Sequence, residues 1–188
     1  MLKRYMMKRY AGKDIAVEEE KIRIHLLSRP DDRIKLRNLL VILCHKKDYQ
    51  SAIRLCEKFL EKKPDDGEFL GILGYLYYET ERIREAILFL NKALDLKPDE
   101  AFVRFLLGNA WSRAGNIQEA IKNYDLVICG GLDIYGAHVN FAKNYEEFGQ
   151  LEKAKREYNI AYEIDPLDPR SKKIAKKIKE LTSVLQGA

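Results

Sequence analysis

The chain has 188 residues, of which 46% are hydrophobic and 34% charged, with a formal net charge of +5. So large an apolar fraction excludes a disordered chain and leaves one ordinary domain or several stacked units. Three cysteines, Cys44, Cys56 and Cys129, without a C-x-x-C spacing, exclude a secreted disulfide scaffold.

Residues 1–13 carry five basic side chains and no acidic one, and they lack the apolar run of a secretion signal. No stretch of 18 apolar residues exists anywhere, so no transmembrane segment is expected and a cytoplasmic setting is the default. At 29–32 stands "RPDD", the first of several near copies: "KPDD" at 63–66, "KPDE" at 97–100 and "DPLD" at 165–168. Pro30, Pro64 and Pro98 are 34 residues apart, and Pro166 lies 68 further on; the slot between holds Leu132.

This frame divides the chain into blocks 33–66, 67–100, 101–134 and 135–168 without a gap. Ala52, Ala86, Ala120 and Ala154 share one place, and Leu39, Leu73, Leu107 and Phe141 another. Large side chains recur at Leu43, Tyr77, Trp111 and Tyr145, and small ones at Gly74, Gly108 and Ala142, a set that Leu40 breaks. Each block reads as two helices. In the second, Leu70, Leu73, Gly74 and Tyr77 have helical spacing, as do Ile83, Ala86, Ile87, Leu90, Ala93 and Leu94. The turn between the helices falls at "ETERI", "RAGNI" and "EFGQL". Proline stops the second helix, since it has no N–H and disfavours helix in the residue before it. An acid just after it suits the positive N-terminus of the next helix. A single hairpin cannot bury both of its apolar faces, so hairpins must stack.

Residues 1–32 fit the frame loosely, with Glu18 and His25 where small residues are expected, and read as a degenerate capping hairpin. Residues 169–188 carry six basic side chains and one acidic. They place Ile174, Ile178, Leu181 and Leu185 on one face, as a helix that caps the last hairpin. With +5 at each end, the body from 14 to 168 carries −5.

The pattern of Leu73, Gly74, Tyr77, Ala86, Leu90, Ala93 and Pro98 resembles the signature of the tetratricopeptide repeat family. Leu107, Gly108, Trp111, Ala120 and Tyr124 repeat it, and so do Phe141, Ala142, Tyr145, Ala154, Tyr158, Ala161 and Pro166. The resemblance implies an all-α fold, a right-handed superhelix (α-solenoid) of antiparallel helix pairs. It covers 33–168 as four repeats.

Motifs that carry chemistry are missing. His25, His45 and His138 lie in separate blocks without metal-ligand spacing. "CGGLDIYG" joins two helices rather than a strand to a helix, so it reads as a turn and not as a phosphate loop. Acidic pairs such as Glu146 and Glu147 read as exposed helix positions. Neither catalytic activity nor a cofactor or metal is expected.

Surface remains. The resemblance implies that the first helix of each hairpin lines a groove. Helical geometry selects Arg37, Asn38, Val41 and His45, then Gly71, Tyr75, Tyr78 and Glu79. Phe102, Phe105, Asn109 and Arg113 follow, then Val139, Asn140, Lys143 and Glu147. Tyr75, Tyr78, Phe102 and Phe105 suggest an apolar groove, and Asn109, Asn140 and Lys143 could hydrogen-bond a peptide. Packing between hairpins is the competing reading of Phe102 and Phe105. Arg37, Asn109 and Lys143 are fragments of the carboxylate clamp found in some family members. Val41 and Glu68 break that set, so the clamp is not expected. The expected function is a protein-interaction module that binds a partner peptide or helix. The alternatives are a self-assembling scaffold, with homo-oligomers as its mark, or a nucleic-acid or membrane-surface adaptor acting through the basic ends. Nucleic acid is not expected as a partner, because no aromatic-basic motif accompanies the charge.

Overall fold

The computed structural model describes residues 14–186, and they are helical with no strand among them. The helices are α1 (Ile15–Ser28), α2 (Arg33–His45), α3 (Tyr49–Lys62), α4 (Gly67–Glu79) and α5 (Ile83–Leu96). Then follow α6 (Ala101–Arg113), α7 (Ile117–Cys129), α8 (Ile134–Glu147), α9 (Leu151–Ile164) and α10 (Ser171–Gln186). The architecture is an α-solenoid of helix pairs. The first helix expected in the hairpin at 1–32 lies largely outside the described residues, as does the basic stretch 1–13. No described helix is long and apolar enough to cross a membrane.

The recurring proline acts on the residue before it. Arg29, Lys63, Lys97 and Asp165 each close a helix with φ between −134 and −149. Their ψ of 71 to 90 lies outside the helical region, from which the proline ring excludes its predecessor. The acid that follows starts the next helix. Asp32 accepts from the Ile34 and Lys35 N–H groups, and Asp66 from Phe69 N–H. Asp133 accepts from Gly136 N–H, although no proline precedes it. Glu100 stands at the same place without a side-chain cap bond, since its extra methylene carries the carboxylate past the geometry that Asp satisfies.

The turn inside each hairpin has its own 34-residue mark. Lys47, Glu81, Gly115 and Gly149 all have positive φ, at 60°, 60°, 80° and 66°. Glycine adopts this left-handed conformation freely, whereas Lys47 and Glu81 do so against their side chains.

The described residues fall into two compact units that meet within α7, one ending at Asn123 and the other starting at Tyr124. In the first, α4 and α5 form an extensive pairing centred on Gly74 and Leu90, with Ala86, Leu73 and Tyr77 buried around it. The pairing of α2 with α3 is less extensive. There Leu40 and Cys56 occupy the places of Gly74 and Leu90, and both are buried. Leu40 therefore does not simply break the pattern of small residues; large and small have changed helices. Burial pushes the Cys56 thiol far up and the Cys44 thiol up to about 12, so both are inert. Gly71, expected on the groove side, is buried instead. A Cβ there would lie 3.3 Å from Val103 Cγ2 and 3.8 Å from Ala93 Cβ.

The second unit buries Tyr135, Val139, Ala142 and Tyr145 of α8 against Ala154, Tyr158 and Ala161 of α9. Helix α10 adds Ile174 and Leu181 to this core, with Ile178 packed against it. It thus packs on this hairpin through Ile174, Ile178 and Leu181.

Candidate functional site

In the first unit, the candidate residues lie on α4 and α6. Tyr75 is partly exposed, and its hydroxyl bonds to the Glu79 carboxylate. Burial, together with Glu79, Cys44 and Tyr49 nearby, holds that hydroxyl well above the usual tyrosine range. Tyr78 is only 3% exposed. The Arg113 guanidinium lies 4.2 Å from its ring centroid, and Arg113 Nη1 donates to the Tyr78 carbonyl at 3.3 Å and to Glu81 at 3.0 Å. One arginine of α6 therefore holds the end of α4, by stacking and by charge.

Phe105 is 0% exposed, and Phe102 is 37% exposed with its ring centroid 6.4 Å away. The two phenylalanines separate into a buried base and an open cap. Asn109 is buried, as are Asn38 and Glu79. Arg37 lies 3.4 Å from Glu68, and Arg33 reaches Glu68 at 2.6 Å and Asp66 at 2.8 Å. Glu68 thus answers the cations of α2.

In the second unit, Asn140 and Lys143 are exposed on α8, whereas Val139 beside them is buried. Sequence reasoning missed the polar centre of this unit. His138 Nδ1 lies 2.8 Å from Glu157 Oε2, and both side chains are 2% exposed. A signal existed in the repeat frame. The places of His138 and Glu157 hold Leu36 and Leu55 in the first block and Leu70 and Phe89 in the second. Both are polar in the third, as Arg104 and Asn123, and again in the fourth, because facing side chains must change together. His25 puts Nε2 2.9 Å from Asp32, the cap of α2. Among the described residues no group of His, Cys, Asp and Glu could hold a metal ion.

Residues 45–126 match the family model described as anaphase-promoting complex, cyclosome, subunit 3, and residues 135–166 match a tetratricopeptide repeat model. No curated protein matches the sequence. Among solved structures the chain is similar to the MamA protein at 23% identity and a TM-score of 0.62, over 86% of this chain and 90% of that one. A tetratricopeptide repeat protein from Parabacteroides merdae matches at 18% identity and a TM-score of 0.62, over 98% and 73%. YrrB, described as a tetratricopeptide repeat protein with an unusual peptide-binding site, matches at 20% identity and a TM-score of 0.60, over 86% and 84%. At these identities the likeness concerns the fold. With the 34-residue marks in turn, cap and proline and a tetratricopeptide repeat model matched at 135–166, the chain belongs to the tetratricopeptide repeat family.

Proposed function

We propose that the chain is a protein-interaction module that holds a partner segment against the first helices of its hairpins, within repeats at 33–66, 67–100, 101–134 and 135–168. Tetratricopeptide repeat proteins serve as interaction scaffolds, and the activity read here is binding alone. The observation that carries the reading is Phe102, left open on top of a fully buried Phe105. An aromatic ring exposed on a rigid aromatic base loses little entropy when a guest covers it. Tyr75 offers a second partly open ring on the neighbouring first helix, while its enclosed hydroxyl fixes the ring's orientation. Tyr78, Phe105 and Asn109 support this wall from beneath. Asn140 and Lys143 offer donors of the same kind on the second unit. YrrB, which has this fold, is described by its peptide-binding site, in keeping with such a use.

Affinity capture from native extract tests this reading. The full chain is compared with a Tyr75→Ala/Phe102→Ala variant at two salt concentrations. Partners lost in the variant and retained at high salt support it. Partners kept by the variant and released by salt would replace it with an electrostatic adaptor.

A further inference from the structure

The furrow between α1 and α3 has a makeup of its own. Two adjoining cavities of about 130 and 310 Å³ share Leu55 and Lys58. The smaller is floored by Leu36 and Phe59, both buried, and walled by the partly exposed Leu26 and Leu55. Its volume is close to that of an engineered apolar cavity of about 150 Å³ that takes up benzene. The larger runs on over Leu39 and Leu43.

The rim of this apolar floor is cationic. Arg23, Arg54, Lys58 and Lys62 line the two cavities, and Asp31 is the one carboxylate among the lining residues. Asp31 takes Lys62 at 3.0 Å, and Glu19 takes Arg23 at 2.6 Å. Arg54 bonds to Ser51 Oγ, and neither it nor Lys58 has an ion pair among the described residues. Residues 1–13, with five cations and no anion, are repelled by such a rim, so charge argues against this chain's own N-terminal stretch as the occupant.

We propose that this furrow is a second binding site, on the opposite helices from the groove, and that it takes an acidic peptide segment through one large apolar side chain. The side chain enters between Leu26, Leu55 and Phe59, and the flanking carboxylates of the segment meet Lys58 and Arg54. The apolar floor supplies affinity, and the rim selects charge.

The test is fluorescence anisotropy with the full chain. The probe is a labelled synthetic peptide of glutamates around a single phenylalanine. Saturable binding is expected, weakened about tenfold when alanine replaces the phenylalanine, as loss of one buried aromatic implies. The Lys58→Glu variant, an exposed change that leaves the core intact, weakens it by at least as much. A peptide with lysines for glutamates does not bind, and the Tyr75→Ala/Phe102→Ala variant binds as the parent does. Absence of binding, an unchanged affinity in Lys58→Glu, or equal binding of the lysine peptide would overturn the proposal. Loss of binding in Tyr75→Ala/Phe102→Ala would move the peptide to the groove and leave the furrow unassigned.

Discussion

Gly74 of α4 lies directly against Leu90 of α5: a Cβ on Gly74 would stand 2.7 Å from Leu90 Cγ and 3.1 Å from its backbone nitrogen. The absence of one methyl group sets how near the two helices come. The residue facing that gap then decides how it is filled, by Leu90 in this hairpin and by the exchange of Leu40 with Cys56 in the one before.

Helix propensity alone would make Gly74→Ala stabilising by about 1 kcal/mol. The close approach reverses the sign, and a loss of about 1–3 kcal/mol is expected from overpacking. In a Leu90→Ala background the same change is expected to cost less, since only the contact with the backbone nitrogen at 3.1 Å remains. Urea unfolding of the four proteins of the cycle measures this coupling.

The left-handed turns at Lys47 and Glu81 allow a gain. Lys47→Gly is expected to stabilise the chain by about 1 kcal/mol, since the strain of a side chain at positive φ disappears. Glu81→Gly is expected to gain less, because it also removes the carboxylate that Arg113 reaches at 3.0 Å. Equal gains in thermal melts would mean that the Arg113 pair contributes nothing.

His138 and Glu157 form a buried pair, each side chain 2% exposed. Glu157→Ala is expected to cost about 1–3 kcal/mol, the range for a buried polar group that loses its hydrogen-bond partner. Replacing both by leucine, as Leu36 and Leu55 stand in the first block, is expected to restore most of that loss. Denaturant unfolding monitored within the second unit distinguishes the two variants.

Asp66 caps α4 and also receives Arg33 through two oxygens, at 2.8 and 3.1 Å. The Arg33 bond, and after it the Phe69 N–H, holds its carboxyl below the ordinary value of 3.8. A carboxyl depressed in the folded state stabilises above its unfolded pKa, and that contribution is lost as pH falls through the folded value. Asp66→Asn is therefore expected to lower the melting temperature at pH 7. The gap should narrow as pH drops below about 3.8. A gap that does not depend on pH would assign the loss to shape alone.

The fold was legible because its determinants are local and repeat. A proline that extends its predecessor, an aspartate at a helix start and apolar side chains at helical spacing each act within a few residues. What lay hidden needed two helices at once. Leu40 looked like an exception until Cys56 was set beside it. Gly71 looked like groove lining although α6 covers it through Val103. Tyr78 and Phe105 have the helical phase of surface residues and are buried. Helical phase names the side of a helix but not the depth of its neighbours. The polar pair of His138 and Glu157 was readable only by comparing facing places between blocks.

Site-specific photo-cross-linking is the most direct measurement of the central claim. A photoreactive phenylalanine analogue is placed at Phe102 of α6 or at Lys92 of α5, both exposed, and the full chain is irradiated in native extract. The account expects a discrete protein adduct from position 102 that an excess of unlabelled parent chain competes away, and no such adduct from 92. Adducts confined to position 92, with none from 102, would contradict it.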